Sequence, residues 1–194
     1  MAVPPTFPCS ANDKTALRAE LRTRRRAFAS NRLFIPDVTT AIQCVALLAL
    51  IDAATVVAGY WPFGAEADVR PLLDHAHAGG KQIALPRFAL GTGVMTFHAW
   101  APGQPIETNT GYTMPPAQAP VLAPDLILAP LIGFDRDLNR MGQGGGFYDR
   151  AFAAYPESAK VGIAWSVQEV AQLPIEPHDI PLDAVLTEKE WITR

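Results

Sequence analysis

The run Arg140-Met141-Gly142-Gln143-Gly144-Gly145-Gly146-Phe147-Tyr148-Asp149-Arg150 sets four glycines in the five positions 142–146, between a strand-like apolar segment and a helix-like one. These residue types at this spacing make an anion cradle. Glycines let the backbone come close to a ligand and turn its N–H groups onto phosphate oxygens, and the start of the following helix adds its positive end. Arg140 and Arg150 bracket the run with fixed cations, and Asp149 offers a carboxylate where a phosphate-bound magnesium ion could sit. Without those flanks the same glycines could equally serve a tight turn. Two common phosphate motifs do not fit. The dinucleotide pattern G-x-G-x-x-G matches Gly142 and Gly144 but meets Phe147 at its third position, and the P-loop needs Gly-Lys-Ser or Gly-Lys-Thr, which the chain lacks.

A second concentration of charge lies near the start. Seven of the 16 basic residues fall between Lys14 and Arg32, with only Asp13 and Glu20 to offset them. Lys14, Arg18, Arg22 and Arg26 recur every four residues, so on a helix they form a slowly winding cationic stripe beside the apolar face of Leu17, Leu21 and Phe28. Ser10-Ala11-Asn12-Asp13 reads as the start of that helix, with Ser10 or Asn12 able to cap it. Arg24, Arg25 and Arg26 read as its solvated face. The whole chain carries a net charge of −3, which argues against a general nucleic-acid or membrane-surface binder. One basic helix in an acidic chain points instead to a local site for a polyanionic small molecule.

The elements that must position these residues follow from pattern and punctuation. Helices are predicted over 38–53, over 69–78 with Gly79-Gly80 ending it, and over 147–155. Buried strands are predicted over 55–61, 81–86, 94–100, 126–132, 160–165 and, last, 183–187; a proline-rich connection covers 101–124. The clearest strand, 126–132, leads through Gly133-Phe134-Asp135 into the glycine run. This alternation predicts an α/β fold: a mixed, largely parallel sheet with helices on both faces, built as a single domain over 1–194, with its ligand at the carboxyl ends of the strands. At 194 residues and 49% hydrophobic, the chain can bury a sizeable core. The apolar stretch from Cys44 to Ile51 is too short to cross a bilayer. Two cysteines, Cys9 and Cys44, and no basic-then-apolar leader at the start are read as a reduced, cytoplasmic setting. His75 and His77 alternate without a third ligand nearby, so they do not read as a metal site.

The motifs also carry a resemblance. The stretch from Gly133-Phe134-Asp135 through Asp149-Arg150 resembles the signature of the 5-formyltetrahydrofolate cyclo-ligase (methenyltetrahydrofolate synthetase) family. Lys14-x-x-Leu17-Arg18 is similar to that family's first helix, and Tyr60-Trp61-Pro62 with Glu66-Ala67-Asp68 to its mid-chain substrate segment. Leu85-Pro86-Arg87 is similar to the strand that follows. Leu173-Pro174, His178-Asp179 and 182–187 are similar to its carboxyl-terminal segment. Leu138 stands where the family usually has glycine, Phe147 replaces the first of two tyrosines, and Gln143 occupies a variable, often basic position.

The resemblance implies an enzyme that uses ATP and Mg2+ to convert 5-formyltetrahydrofolate into 5,10-methenyltetrahydrofolate, ADP and phosphate. It implies Lys14 and Arg140 as catalytic cations and an ATP site of Lys14, Arg140, Gly142, Gln143, Gly144, Gly145, Gly146, Phe147 and Tyr148. It implies a folate site of Arg18, Trp61 and Glu66 together with Gln143, Gly144, Gly145, Gly146 and Phe147, and magnesium on Asp149 and Asp179. Taken singly, Trp61 reads as core, Tyr148 as either core or nucleotide contact, Glu66 as a surface or helix-start charge, and Asp179 as a turn-forming carboxylate. A monomer with ATP and reduced folate as partners, and with neither nucleic acid nor membrane, is expected.

Overall fold

A computed structural model describes residues 11–30, 44–89, 91–109 and 111–194. Cys9, the expected cap Ser10 and the first part of the expected second helix, 38–43, lie outside the described residues. The chain runs α1 (Ala11–Ser30), α2 (Val45–Ala53), β1 (Val56–Ala58), α3 (Arg70–Ala78), β2 (Gln82–Ala89), β3 (Val94–Trp100), β4 (Glu107–Asn109), β5 (Tyr112–Met114), β6 (Leu126–Pro130), β7 (Gly133–Phe134), β8 (Arg140–Met141), α4 (Phe147–Ala154), β9 (Ala159–Ile163), β10 (Ala184–Leu186) and β11 (Trp191–Thr193).

The near-continuous apolar runs become strands because both faces of their sheet are covered. Val57, Leu126 and Leu128 face one way and pack on Leu47 and Ile51 of α2 and Leu72 and Leu73 of α3. Their neighbours Val56, Ala58, Ile127 and Ala129 face the other way, towards Ala151 and Phe152 of α4. The seven strands stand in the order β11-β10-β9-β6-β1-β2-β3. Pairings from β10 through β2 are parallel, and only the outer strands β3 and β11 run antiparallel. This is the mixed, largely parallel sheet with helices on both faces that the alternation predicts. Among the described residues, no helix is long and apolar enough to cross a membrane.

The order contains one reversal that matters for function. From β1 the chain moves outward through β2 and β3, then returns to place β6 on the other side of β1. The segments leaving the carboxyl ends of β1 and β6 therefore diverge and open a crevice between them. Three elements differ from expectation. The first strand stops at Ala58, and Tyr60 and Trp61 turn towards that crevice. The proline-rich connection holds a hairpin, β4–β5, with Gly111 at its tip in a left-handed conformation (φ +85°). The final strand is not 183–187 but β11, which pairs antiparallel to β10.

A tight turn joins β7 to β8 and sets the entry to the glycine run. The Asp135 carboxylate, 1% exposed, accepts hydrogen bonds from the backbone N–H groups of Asp137 and Asn139, from the Asn139 side chain and from the N–H of Leu173. The turn drives Leu138 into the left-handed region (φ +64°) while its side chain is fully buried beside Phe134, Phe152 and Leu182. The resemblance had singled out this position for its missing glycine, and the backbone shows why glycine suits it. Leucine instead accepts strain in return for buried apolar surface.

Removing the Leu138 side chain should cost about 2–5 kcal/mol. Within that loss, Leu138→Gly should be about 1 kcal/mol more stable than Leu138→Ala, because glycine alone relieves the left-handed backbone. Urea denaturation of the two variants checks this inversion of the usual alanine-over-glycine order.

Candidate active site

The crevice between β1 and β6 deepens into a cleft of about 590 Å³. Every residue expected at the site lines it: Lys14, Arg18, Trp61, Glu66, Arg140, Gly142 to Asp149, and Asp179. The segment after β1 supplies Trp61 and Glu66, α1 supplies Lys14 and Arg18, the loop between β8 and α4 supplies the glycines, and the segment after Leu173 supplies Asp179. Trp61 is fixed by an edge-to-face contact with Trp100 at 5.9 Å and by the Arg70 guanidinium 5.2 Å over its ring.

The glycine loop is shaped by close approach. Gly144 and Gly146 take positive φ (+101° and +63°), and a Cβ on Gly145 would sit 2.8 Å from the Phe147 ring. Arg18 donates through Nε to the Gly142 carbonyl at 3.1 Å, and its guanidinium lies beside Gly144. Arg22 donates to Oε1 of Gln143 at 2.7 Å. Two successive turns of the cationic stripe on α1 thus brace the loop, one on its backbone and one on its variable side chain.

Cations and acids in the cleft are matched. Arg140, 4% exposed, donates to Oδ1 of Asp149 at 2.5 Å and stacks over Phe152 and Tyr148. Lys14, 13% exposed, lies 3.0 Å from Glu176 and 3.6 Å from Asp179. The backbone N–H of Glu176 donates to Oδ2 of Asp179 at 2.7 Å, so this carboxylate does form a turn as well as face the cleft. Glu176, His178 and Asp179 bring three ligand atoms within 4.8 Å of one another. Arg150, by contrast, does not line the cleft. Its Nε donates to the Gly93 carbonyl at 2.8 Å and its Nη2 to the Gly145 carbonyl at 2.7 Å, which ties the loop to the turn between β2 and β3.

The sequence reading of α1 misplaced one residue. Arg25 is not on the solvated face but buried at 6% exposure, with Nη1 donating to the Leu131 carbonyl at 3.2 Å and lying 3.5 Å from Glu66. The signal was present, since position 25 falls between Leu21 and Phe28 on the buried side of the helix. Glu66 also accepts from the Phe63 N–H at 3.0 Å. Burial pushes its carboxyl above the ordinary value, against the opposing pull of Phe63 and Arg25. The Tyr148 hydroxyl is buried without a hydrogen-bond partner among the described residues, and burial together with the nearby Glu66 raises its pKa. An orphaned donor on a cleft wall is a group ready for a ligand. Sequence reasoning also missed the cleft's outer rim, formed by Phe63, Phe88 and Tyr112.

A glycine loop flanked by cations, guanidinium–carboxylate pairs and an aromatic shelf at a topological switch point give this α/β protein a cleft able to receive an anionic, ring-bearing ligand. The chain belongs to the 5-formyltetrahydrofolate cyclo-ligase family, whose sequence model matches residues 10–188. It is 31% identical over 180 residues to the 5-formyltetrahydrofolate cyclo-ligase of Escherichia coli K12, covering 88% of this chain and 98% of that protein. Among solved structures, it resembles the 5,10-methenyltetrahydrofolate synthetase of Aquifex aeolicus with a TM-score of 0.71 at 26% identity, covering 93% of this chain and 92% of that one. The synthetase of Mycoplasma pneumoniae matches with a TM-score of 0.67 at 27% identity, over 91% and 99% of the two chains.

The Glu66 environment has a stability consequence. A carboxyl raised on folding contributes its full stability below the unfolded value of 4.5 and loses it as pH rises through the folded one. Relative to the wild type, Glu66→Gln should therefore gain stability as the pH is moved from 4.5 to 7.5. Denaturant midpoints at the two pH values, compared between the proteins, check the sign.

Proposed function

We propose that the protein converts 5-formyltetrahydrofolate and ATP into 5,10-methenyltetrahydrofolate, ADP and phosphate, with Mg2+ as cofactor. The observation that carries this reading is the convergence of Lys14, Arg18, Trp61, Glu66, Arg140, Asp149, Asp179 and the glycine loop on one cleft in a member of this family.

The chemical problem is a poor leaving group. A formyl group on N5 is an amide, and its oxygen departs only once modified. Transfer of the γ-phosphoryl group to that oxygen, with release of ADP, creates a leaving group. N10 then attacks the formyl carbon and loses its proton, and phosphate carries the former formyl oxygen away. The chain's contribution is position and charge. Lys14 and Arg140 exchange their carboxylate partners for phosphate oxygens, while the Gly142–Gly146 backbone, with Gln143, Phe147 and Tyr148, holds the nucleotide. Arg18 meets the folate, and Trp61 and Glu66 hold the pterin, whose edge offers paired N–H donors to a carboxylate. The loop residues Gln143 to Phe147 serve both ligands.

The residues present fit magnesium. Asp149 and Asp179 offer hard carboxylate oxygens on the same cleft, and in Asp149 the arginine engages Oδ1. Magnesium held by these two would supply charge neutralisation to the phosphates.

Incubation with Mg·ATP and 5-formyltetrahydrofolate should yield the conjugated methenyl product, followed by its absorbance, and omission of magnesium should abolish it. No product under complete conditions would falsify the reading. Asp149→Asn should lower turnover by about 100-fold or more, because an amide is a poorer magnesium ligand. The variant should stay folded, since an amide oxygen can still accept from Arg140; near-normal turnover removes Asp149 from the metal role. Arg18→Ala should mainly raise the KM for folate, and an effect confined to ATP would move Arg18 to the other ligand.

A further inference from the structure

Of the basic side chains described on α1, Arg25 alone is buried. It takes a slot on the apolar side of the helix, four residues after Leu21 and three before Phe28, where leucine or methionine would pack at no desolvation cost. A buried ion pair is a weak source of stability, since apolar replacements of similar volume often do as well or better. Its Nε has no hydrogen-bond partner among the described residues. The remaining contacts all point one way: Nη1 is anchored on the Leu131 carbonyl and faces Oε1 of Glu66, while Oε2 of Glu66 takes the Phe63 N–H. Leu131 and Glu66 both line the cleft, and Arg25 does not.

We propose that Arg25 is a positioning residue for the pterin end of the substrate, holding the Glu66 carboxylate ionised and aimed into the cleft without touching the ligand. The inference rests on the reading above that Glu66 receives the pterin. Arg25 from α1 is the cation that faces Glu66, and Arg22 on the same helix faces Arg25 in turn. Gln143 approaches Glu66 from the glycine loop, and the other titratable neighbours are Tyr60 and Tyr148, both kept neutral by burial. Without the guanidinium, burial is opposed only by the Phe63 N–H and the nearby Gln143, and a protonated carboxyl offers the pterin one acceptor fewer.

The test is a mutant cycle of Arg25→Met, Glu66→Gln and the double variant, with Arg25→Lys as the charge-keeping control. KM for 5-formyltetrahydrofolate and for ATP are measured from pH 6 to pH 9, and each variant is checked for a cooperative melt. Arg25→Met should raise the folate KM about tenfold at pH 7, leave the ATP KM within about twofold, and recover towards wild type as rising pH re-ionises Glu66. Arg25→Lys should show a smaller rise with the same ligand selectivity, and it carries the test if the methionine variant does not fold. In the Glu66→Gln background, Arg25→Met should add little. A folate defect in Glu66→Gln with none in the Arg25 variants overturns this inference alone. A rise in both KM values that no pH restores also overturns it, because it marks a general structural role. An unaltered folate KM in Glu66→Gln overturns the pterin reading of Glu66, and this inference with it.

Discussion

The buried carboxylate of Asp135 holds the two walls of the cleft in register. Its two oxygens accept three N–H donors from its own turn and one from Leu173. The first three fix the turn that delivers β8, Arg140 and the glycine loop; the fourth fixes the segment that carries Glu176 and Asp179. A carboxylate buried at this depth is tolerable only when its lone pairs are filled, so the same requirement that satisfies Asp135 joins segments nearly forty residues apart. Leu138 in its left-handed conformation follows from this geometry, with burial in the second core offsetting the strain.

The cleft built on that frame is a set of matched charges. Lys14 with Glu176 and Asp179, Arg140 with Asp149, and Arg25 with Glu66 keep a crowded group of ionised side chains near neutrality. For the reaction proposed, such pairing suits a site that must receive a polyanion together with a divalent cation. In that proposal Lys14 and Arg140 turn to phosphate oxygens and their acidic partners would turn to the metal, while Arg25 stays with Glu66, so no charge is left unpaired in a poorly solvated space.

Much of this was legible in the sequence. The apolar runs at 55–61 and 126–132 announced buried strands, although the first ends at Ala58 and the second at Pro130, and the glycines between Arg140 and Asp149 announced the loop, because backbone demands of that kind are written in residue type. Features set by distant contacts were not. The β4–β5 hairpin sits in a proline-rich stretch, and it is held by Arg87, which reaches Glu107 and the Pro115 carbonyl from a different strand. The hairpin's strands, Glu107-Thr108-Asn109 and Tyr112-Thr113-Met114, carry no apolar run by which they could be read. Arg25 was assigned to solvent on its charge, although its place between Leu21 and Phe28 put it inside; residue type won over helical phase in that reading, and burial beside Glu66 reversed the outcome.

The aromatic rim ties together parts that look separate along the chain. Phe88 on β2 meets Tyr112 of the hairpin at 4.7 Å and Phe147 at the start of α4 at 4.9 Å. Arg150 lies over Phe147 at 5.3 Å while gripping both Gly145 and Gly93. Hairpin, β2–β3 turn and glycine loop are therefore linked through one bearing. One connected set of contacts thus frames the mouth of the cleft, so a ligand that displaces Phe88 or Tyr112 on the hairpin side bears through Phe147 and Arg150 on the glycine loop at the other.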